Sequence, residues 1–434
     1  MSAAVVRERN VLVRNRLVAR RSAVVWTTAV LVLALSVSAC SQKKSSTGAA
    51  AGTSTGAAAT GPAPSTSAQV APAVLTISAA KGAIGVSPVT PVKVAVAGGA
   101  LSSVSLTNAA GTVVKGALTA DKTTWSSAEP LGYGKTYSIK AVATNPRGQQ
   151  TSESSSFTTL TPSNQTMPYI QTAAGGAVAP GVTFGVGQVI RIHFDESIPD
   201  RKAAQAALKV TTVPAQVGGF SWLSNTDVYW RTQKYLKPGT KVSINANVYG
   251  KDLGNGLYGQ ADASTSFKVG DSHISIADDN TKIVKVYTNG KLVKTMPTSM
   301  GRHESIPGDT GPIDLRTNSG PHVVVGGEKN INMNSASFGL SKGANAYKTT
   351  VPVGVRISYD GEYVHWADWS VPQQGYSDTS HGCLNVSPAN AYWFYDYSLP
   401  GDIVDVRNTG RTLAEWNSGY WNVSWAKWTG DGAK

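Results

Sequence analysis

Charged side chains make up only 15% of this 434-residue chain. Long amphipathic helices with charged faces are therefore not expected to dominate, and short runs of Val, Thr, Ser, Tyr and Trp point to β structure. Cysteine is nearly absent, with Cys40 and Cys383 alone. No basic-aromatic cluster and no DNA-binding motif occurs, which speaks against a nucleic-acid partner. His193, His273, His303 and His322 lack metal-ligand spacing with cysteine or carboxylates. No metal and no other cofactor is expected. The length is too great for one core and implies two to four domains.

The chain opens with a targeting pattern. Arg7, Arg9, Arg14, Arg16, Arg20 and Arg21 precede an apolar run from Ser22 to Val37, which closes in Val37-Ser38-Ala39-Cys40. The run has the length of a signal segment and is short for a spanning helix. A small residue before cysteine at its end resembles the lipobox of bacterial lipoproteins. The resemblance implies cleavage of a signal peptide 1–39, acylation of Cys40, and anchorage on the outer face of the cytoplasmic membrane, facing the cell wall. The alternative is an uncleaved anchor with an incidental cysteine. Arg20-Arg21 is a weak sign of twin-arginine export. With lipid on Cys40, Cys383 has no disulfide partner, and a lone exported thiol is either buried and inert or reactive. The formal charge of +13 falls to about +8 without residues 1–39. That suits an anionic wall or headgroup surface, and equally simple solubility.

Residues 40–72 are Ser, Thr, Gly, Ala and Pro with few large apolar side chains, and read as a flexible tether behind the lipidated cysteine. A repeat follows. Trp125, Leu131, Gly134, Ser138, Ile139 and Ala141 recur 105 residues later as Trp230, Leu236, Gly239, Ser243, Ile244 and Ala246. Each unit ends in a Ser-rich strand carrying Phe157 or Phe267. Short alternating strands in units of about 100 residues fit two Ig-like β-sandwiches, 73–162 and 163–270. Leu131-x-x-Gly134-x-x-Tyr137 looks like a tyrosine corner, and the insertion Asp195 to Ala207 in the second unit suggests a helical turn. Residues 271–409 form a β-rich third domain. Hairpins are expected at Asn289-Gly290 and Asp360-Gly361, and one short helix from Pro388 to about Tyr397 with Ser387 as N-cap. Trp416, Trp421, Trp425 and Trp428 make the tail 410–434 one that packs back on the body.

Ser380-His381-Gly382-Cys383-Leu384-Asn385 lies between the second hairpin and the helix, 18 residues after His365. Here the chain resembles the L,D-transpeptidase, or YkuD, family over about 275–409, in its actinobacterial branch with Ig-like domains. Asn385 and Pro297-Thr298-Ser299-Met300-Gly301 fit that branch. The physical reading agrees. A thiol needs a base or a positive neighbour to become a nucleophile, and His365 is the candidate base. Gly382 lets backbone approach an incoming carbonyl, and the N–H groups of Gly382 and Cys383 could form an oxyanion hole.

The resemblance implies a mechanism. Cys383 attacks the bond between diaminopimelate and D-Ala in a tetrapeptide donor from peptidoglycan. The thioester is then attacked by the diaminopimelate amine of an acceptor stem, giving a 3→3 cross-link. Carbapenems acylate the same thiol by analogy. The resemblance also implies that the backbone carbonyl of Trp366 orients His365, and that Met333, Phe338, Tyr359, Trp369, Ser380, His381 and Asn385 touch substrate. Phe338 stands where relatives often have Tyr, and Trp366 where they often have a small residue. Core packing accounts equally well for Tyr359 and Trp369, and a loop-strut role for His381. The rival readings are an L,D-carboxypeptidase, with water as acceptor, and a wall-binding scaffold with a weak catalytic domain.

Overall fold

The computed structural model describes residues 70–430. The signal segment, Cys40, most of the tether and residues 431–434 lie outside the described residues.

Alternation builds the two N-terminal sandwiches. In strand Thr136–Thr144, Tyr137, Ile139, Ala141 and Ala143 point inward, alternating with the less buried Thr136, Ser138, Lys140, Val142 and Thr144. This strand lies between Ala100–Asn108 and Gln150–Thr158. A four-stranded sheet built from Val74–Ile77, Lys93–Ala97, Thr124–Ser127 and Gly116–Leu118 closes the first core. The second unit pairs two four-stranded sheets around Ile190, Ile192, Trp230, Ile244 and Phe267. The repeat is physical as well as textual. A Cβ on Gly116 would lie 2.0 Å from the Trp125 ring, and one on Gly218 2.3 Å from the Trp230 ring. Each indole thus lies against bare backbone of the neighbouring strand. The hydroxyl of Tyr137 accepts from the Gly132 N–H at 2.8 Å, closing the tyrosine corner. Helix Arg201–Ala206 occupies the insertion, capped by Asp200, whose side chain accepts from the Ala203 N–H. The sandwiches meet through tyrosines: Tyr249 donates to the Leu131 carbonyl at 2.6 Å and Tyr133 to that of Gly259 at 2.8 Å.

The third domain stacks a five-stranded sheet against a four-stranded one. The first runs Lys291–Pro297, Ile283–Thr288, His273–Asp278, Ile403–Arg407, Gly320–Val323 in spatial order. The second runs Gly326–Asn334, Lys348–Arg356, Tyr363–Trp366, Leu384–Val386. Val284, Val286, Val353, Val355, Val404 and their neighbours fill the space between, with Ala391 and Phe394 of helix Pro388–Tyr397. That helix begins at the Ser387 cap, and the Asn289-Gly290 hairpin has its expected register, Thr288 opposite Lys291.

The Asp360 hairpin differs from expectation. Arg356 pairs with Tyr363 and the Ile357 N–H donates to the Glu362 carbonyl, so residues 358–361 form a four-residue connection instead of a two-residue turn. Two side chains explain the longer loop. Ser358 Oγ accepts the Glu362 N–H, and Asn417 Oδ1, from the tail, accepts the N–H groups of Tyr359 and Asp360.

The tail does pack back. Trp428 and Tyr420 are fully buried, although Trp416 remains exposed. Trp421 Nε1 donates to the Gly187 carbonyl and Trp428 Nε1 to that of Gly219. Arg231 is 2% exposed and lies over the rings of Trp421, Trp425 and Trp428 at 4.8, 5.4 and 4.6 Å. The second sandwich also touches the third domain directly at Gly185, where a Cβ would stand 2.2 Å from the Asp402 nitrogen.

Candidate active site

Parallel pairing brings the two motif halves together. Strand Tyr363–Trp366 pairs with Leu384–Val386, so His365 lies opposite Asn385, two residues after Cys383. The motif thus leads into a short strand before the helix, which the sequence reading lacked. On the other side His365 faces Gly354, where a Cβ would come within 2.9 Å of the His365 Cβ. Thr298 and Ser299 hold the Asn385 backbone, and Met300 holds that of Ser380. The Pro297–Gly301 segment therefore clamps both ends of the motif.

The His365 imidazole is buried, with Nδ1 2.7 Å from the Trp366 carbonyl oxygen. A carbonyl can only accept, so Nδ1 carries the proton and Nε2 keeps its lone pair. Burial pulls the imidazole pKa down to about 4, against the Trp366 and Asn385 hydrogen bonds that favour the charged ring. The Cys383 thiol lies 3.6 Å from the Gly361 carbonyl. Burial pushes it up to about 12, and the Glu362 and Asp360 charges add to the rise. A positive neighbour was one of the two expected ways to activate the thiol. The fold instead keeps a neutral thiol near a neutral imidazole, because desolvation outweighs every nearby donor.

Two cavities open on Cys383. One, of about 410 Å³, is lined by Met333, Tyr347, His365, Trp369 and Asn385. The other, of about 370 Å³, includes Phe338, Gly382, Glu362 and Arg411. Tyr347, His381 and Cys383 belong to both and form the partition. His381 sits 5.0 Å from the Tyr347 ring and 6.4 Å from that of Phe338, with Arg302 Nη2 3.4 Å from its Nε2. Ser380 Oγ donates to the Cys383 carbonyl at 2.7 Å and accepts from the Gly382 N–H at 3.1 Å.

Several site expectations change. The Gly382 N–H is committed to Ser380, so it is not a free oxyanion donor. Glycine is also favoured there by its φ of +133°, and within the chain a Cβ would meet nothing closer than Glu362 at 3.8 Å. Tyr359 lines neither cavity: the longer turn directs it onto Tyr420, hydroxyl to hydroxyl at 3.4 Å. Trp366 also lines neither, because alternation turns it from the His365 side toward the core, edge-on to Trp369. Trp369 is on the cavity, 54% exposed and 6.1 Å from the His365 ring.

The sequence reading missed Tyr347, a lone aromatic in a Ser-Lys-Gly-Ala loop. Tyr347 lines both cavities, Phe338 brings no hydroxyl there, and burial keeps the Tyr347 phenol protonated. Also missed was the tail's part in the site. Asn417 and Ser418 fix the 357–362 turn that presents Gly361 to the thiol.

The four remaining histidines each meet a carboxylate: Asp227, Asp402, Asp279 and Glu362 for His193, His273, His303 and His322. Although no ligand spacing exists in the sequence, Asp279, His303 and Asp378 gather in space. Lys282 already bridges the two aspartates. Its ammonium supplies the positive charge there, and no metal is assigned.

Comparison with known proteins agrees with this architecture. Residues 83–252 match the bacterial Ig domain, and residues 272–406 match the L,D-transpeptidase catalytic domain, YkuD. The chain is 44% identical over 363 residues to L,D-transpeptidase 2 of Mycobacterium tuberculosis (strain CDC 1551 / Oshkosh), covering 83% of this chain and 85% of that one. It is 33% identical to L,D-transpeptidase 5 of Mycobacterium tuberculosis (strain ATCC 25618 / H37Rv), with 82% and 76% covered. A solved L,D-transpeptidase in complex with imipenem is 28% identical at a TM-score of 0.46, covering 55% of this chain and 99% of that chain. With similarity spanning both the Ig-like and the YkuD regions, this chain belongs to the L,D-transpeptidase family.

Proposed function

We propose that this transpeptidase forms 3→3 cross-links between diaminopimelate residues of peptidoglycan stems through a thioester on Cys383. The observation that carries the reading is the meeting of two cavities at one thiol. An enzyme that only hydrolysed its acyl intermediate would need one cavity and water, so the second favours an acceptor stem over the carboxypeptidase alternative.

His365 acts as base through Nε2, taking the thiol proton as sulfur attacks the donor carbonyl. It then gives that proton to the departing D-Ala amine. With both groups neutral at rest, proton transfer accompanies attack, and no standing thiolate precedes it. The Trp366 carbonyl holds the tautomer and steadies the imidazolium that forms transiently. Tyr347, protonated and lining both cavities with the thiol, is the side chain we assign as donor to the developing oxyanion. Trp369, Met333 and Asn385 line the donor side. Carbapenems, whose strained carbonyl resembles the donor's, acylate the same thiol. Export and lipid anchorage through Cys40 belong to the same reading, supported by the basic segment, the apolar run and Ala39-Cys40. Cys40→Ser would then move the protein to the soluble fraction.

Mass spectrometry with disaccharide-tetrapeptides tests the core of the proposal. Thioester and cross-linked dimer are expected from the wild type, and neither from Cys383→Ala. Hydrolysed tripeptide without dimer would instead establish the carboxypeptidase.

A further inference from the structure

Glu362 and His322 are buried ionisable residues to which the mechanism above gives no part. A buried charge is costly unless paired, so the partners decide what these groups can do. Glu362 Oε2 lies 3.0 Å from His322 Nε2. Its Oε1 accepts from the Asn318 backbone N–H at 2.7 Å and from Asn318 Nδ2 at 3.0 Å. The other ring nitrogen, His322 Nδ1, lies 2.9 Å from the Gly320 carbonyl oxygen. A carbonyl can only accept, so Nδ1 carries a proton. The hydrogen bond between Nε2 and the carboxyl then needs a second proton, on one atom or the other. The pair holds that proton and has no net charge.

The place of the pair in the fold gives it a task. The Gly361 carbonyl, 3.6 Å from the Cys383 sulfur, and the Glu362 N–H belong to one planar peptide unit. Whatever fixes Glu362 therefore fixes the acceptor that faces the thiol. Asn417 and Ser418 hold this turn to the tail. The Glu362 side chain ties it to a second support, residues 318–323. That support is itself anchored: Gly320–Val323 pairs with Ile403–Arg407, and the Ser319 carbonyl accepts from the Leu413 N–H at 2.8 Å.

We propose that His322 and Glu362 are positioning residues for the reaction: their shared proton ties the Gly361 turn to residues 318–323 and so holds the thiol in line with the donor carbonyl. The proposal rests on the reading of Cys383 as the nucleophile. Both residues act through the Gly361 peptide, and neither exchanges a proton with substrate. Misplacing reacting groups by about 1 Å slows such a step about 10²-fold, which sets the scale of the effect.

The test uses the full chain, acylated in single turnover by a carbapenem and by a tetrapeptide donor, with rates referred to the folded fraction. His322 lines neither cavity at Cys383. His322→Ala should nonetheless lower the acylation rate constant by about ten- to a hundredfold, with less than about a twofold change in the half-saturating donor concentration. Glu362→Ala should do the same. Glu362→Gln should recover most of that loss, because the amide can accept from Asn318 and donate to a neutral His322 Nε2 without the shared proton. Hydrogen exchange reads the turn directly. The Ile357 and Glu362 N–H groups, bonded to the Glu362 carbonyl and Ser358 Oγ, should exchange about tenfold faster or more in His322→Ala, with Ile139 of the first sandwich unmoved. Nitrogen and carbon NMR of the wild type should find a proton on His322 Nε2 or on the Glu362 carboxyl, and finding it on neither overturns the shared proton. A His322→Ala variant that loses stability alone, with acylation and exchange unchanged, overturns the positioning role. So does a Glu362→Gln variant as slow as Glu362→Ala, and that comparison decides even if His322→Ala fails to fold. Absence of acylation in the wild type would instead refute the nucleophile reading, and exchange and NMR would still decide whether the pair holds the turn.

Discussion

Two regions of this molecule bury ionisable groups, with opposite outcomes. At Cys383 and His365, desolvation drives both groups to their neutral forms, the thiol up to about 12 and the imidazole down to about 4. At Arg231, burial also lowers the guanidinium, to about 10, yet the charge survives. Three indole faces and the Val423 carbonyl replace the lost water. A cation on a desolvated aromatic face gains about 2 kcal/mol. The thiol has only the Tyr363 backbone hydrogen bond in compensation. Burial therefore makes a staple where the surroundings match the charge, and a neutral thiol and imidazole where they do not.

The repeat sharpens this contrast. Arg231 follows Trp230 as Ser126 follows Trp125. Only the second sandwich receives the Trp-rich tail, so only there does an arginine replace the serine. Because the same tail braces the 357–362 turn through Asn417, the staple and the reactive pair are mechanically joined.

The largest expected effect is on His365. His365→Gln should lower single-turnover acylation by about 10²–10⁴, the usual loss of a general base. A folded variant that acylates at wild-type rates would remove the base from this reading. Next comes the staple. Arg231→Ala should lower stability by about 3 kcal/mol in chemical denaturation, from the lost cation–π and hydrogen-bond contacts. Acylation by the folded fraction should change less than about threefold. A parallel collapse of acylation would show that the two regions act as one.

The pH dependence is of similar size for stability. The folded His365 pKa lies below its ordinary value, so the unfolded chain takes up a proton first as pH falls. Stability should then drop between about pH 6.5 and 4, by about 3 kcal/mol in total, and His365→Gln should remove that slope. Acylation should stay flat from about pH 5 to 9, since the imidazole is neutral and the thiol protonated throughout. A rise through pH 8 to 9 would indicate an ordinary thiol. Smaller still is Trp366→Ser, which should alter inhibitor or donor affinity through Trp369 more than the acylation rate constant. Asp368→Asn should be nearly silent, because the Trp366 carbonyl already occupies His365 Nδ1.

What the sequence determined by itself was whatever depends on near neighbours. Strand alternation, the Ser387-Pro388 helix start and the Ser-His-Gly-Cys motif are each encoded within a few residues. The motif singled out which thiol and which imidazole would lie together on one cavity. It could not fix their charge state, which depends on how completely distant strands exclude water. Tyr359 was misplaced for a related reason. A turn lengthened by Ser358 and by Asn417, 57 residues on from Asp360, reset which way that side chain points. Tyr347 and the Arg231 staple carry no local pattern. Only tertiary structure places them, because each meets groups that long-range packing alone brings within reach.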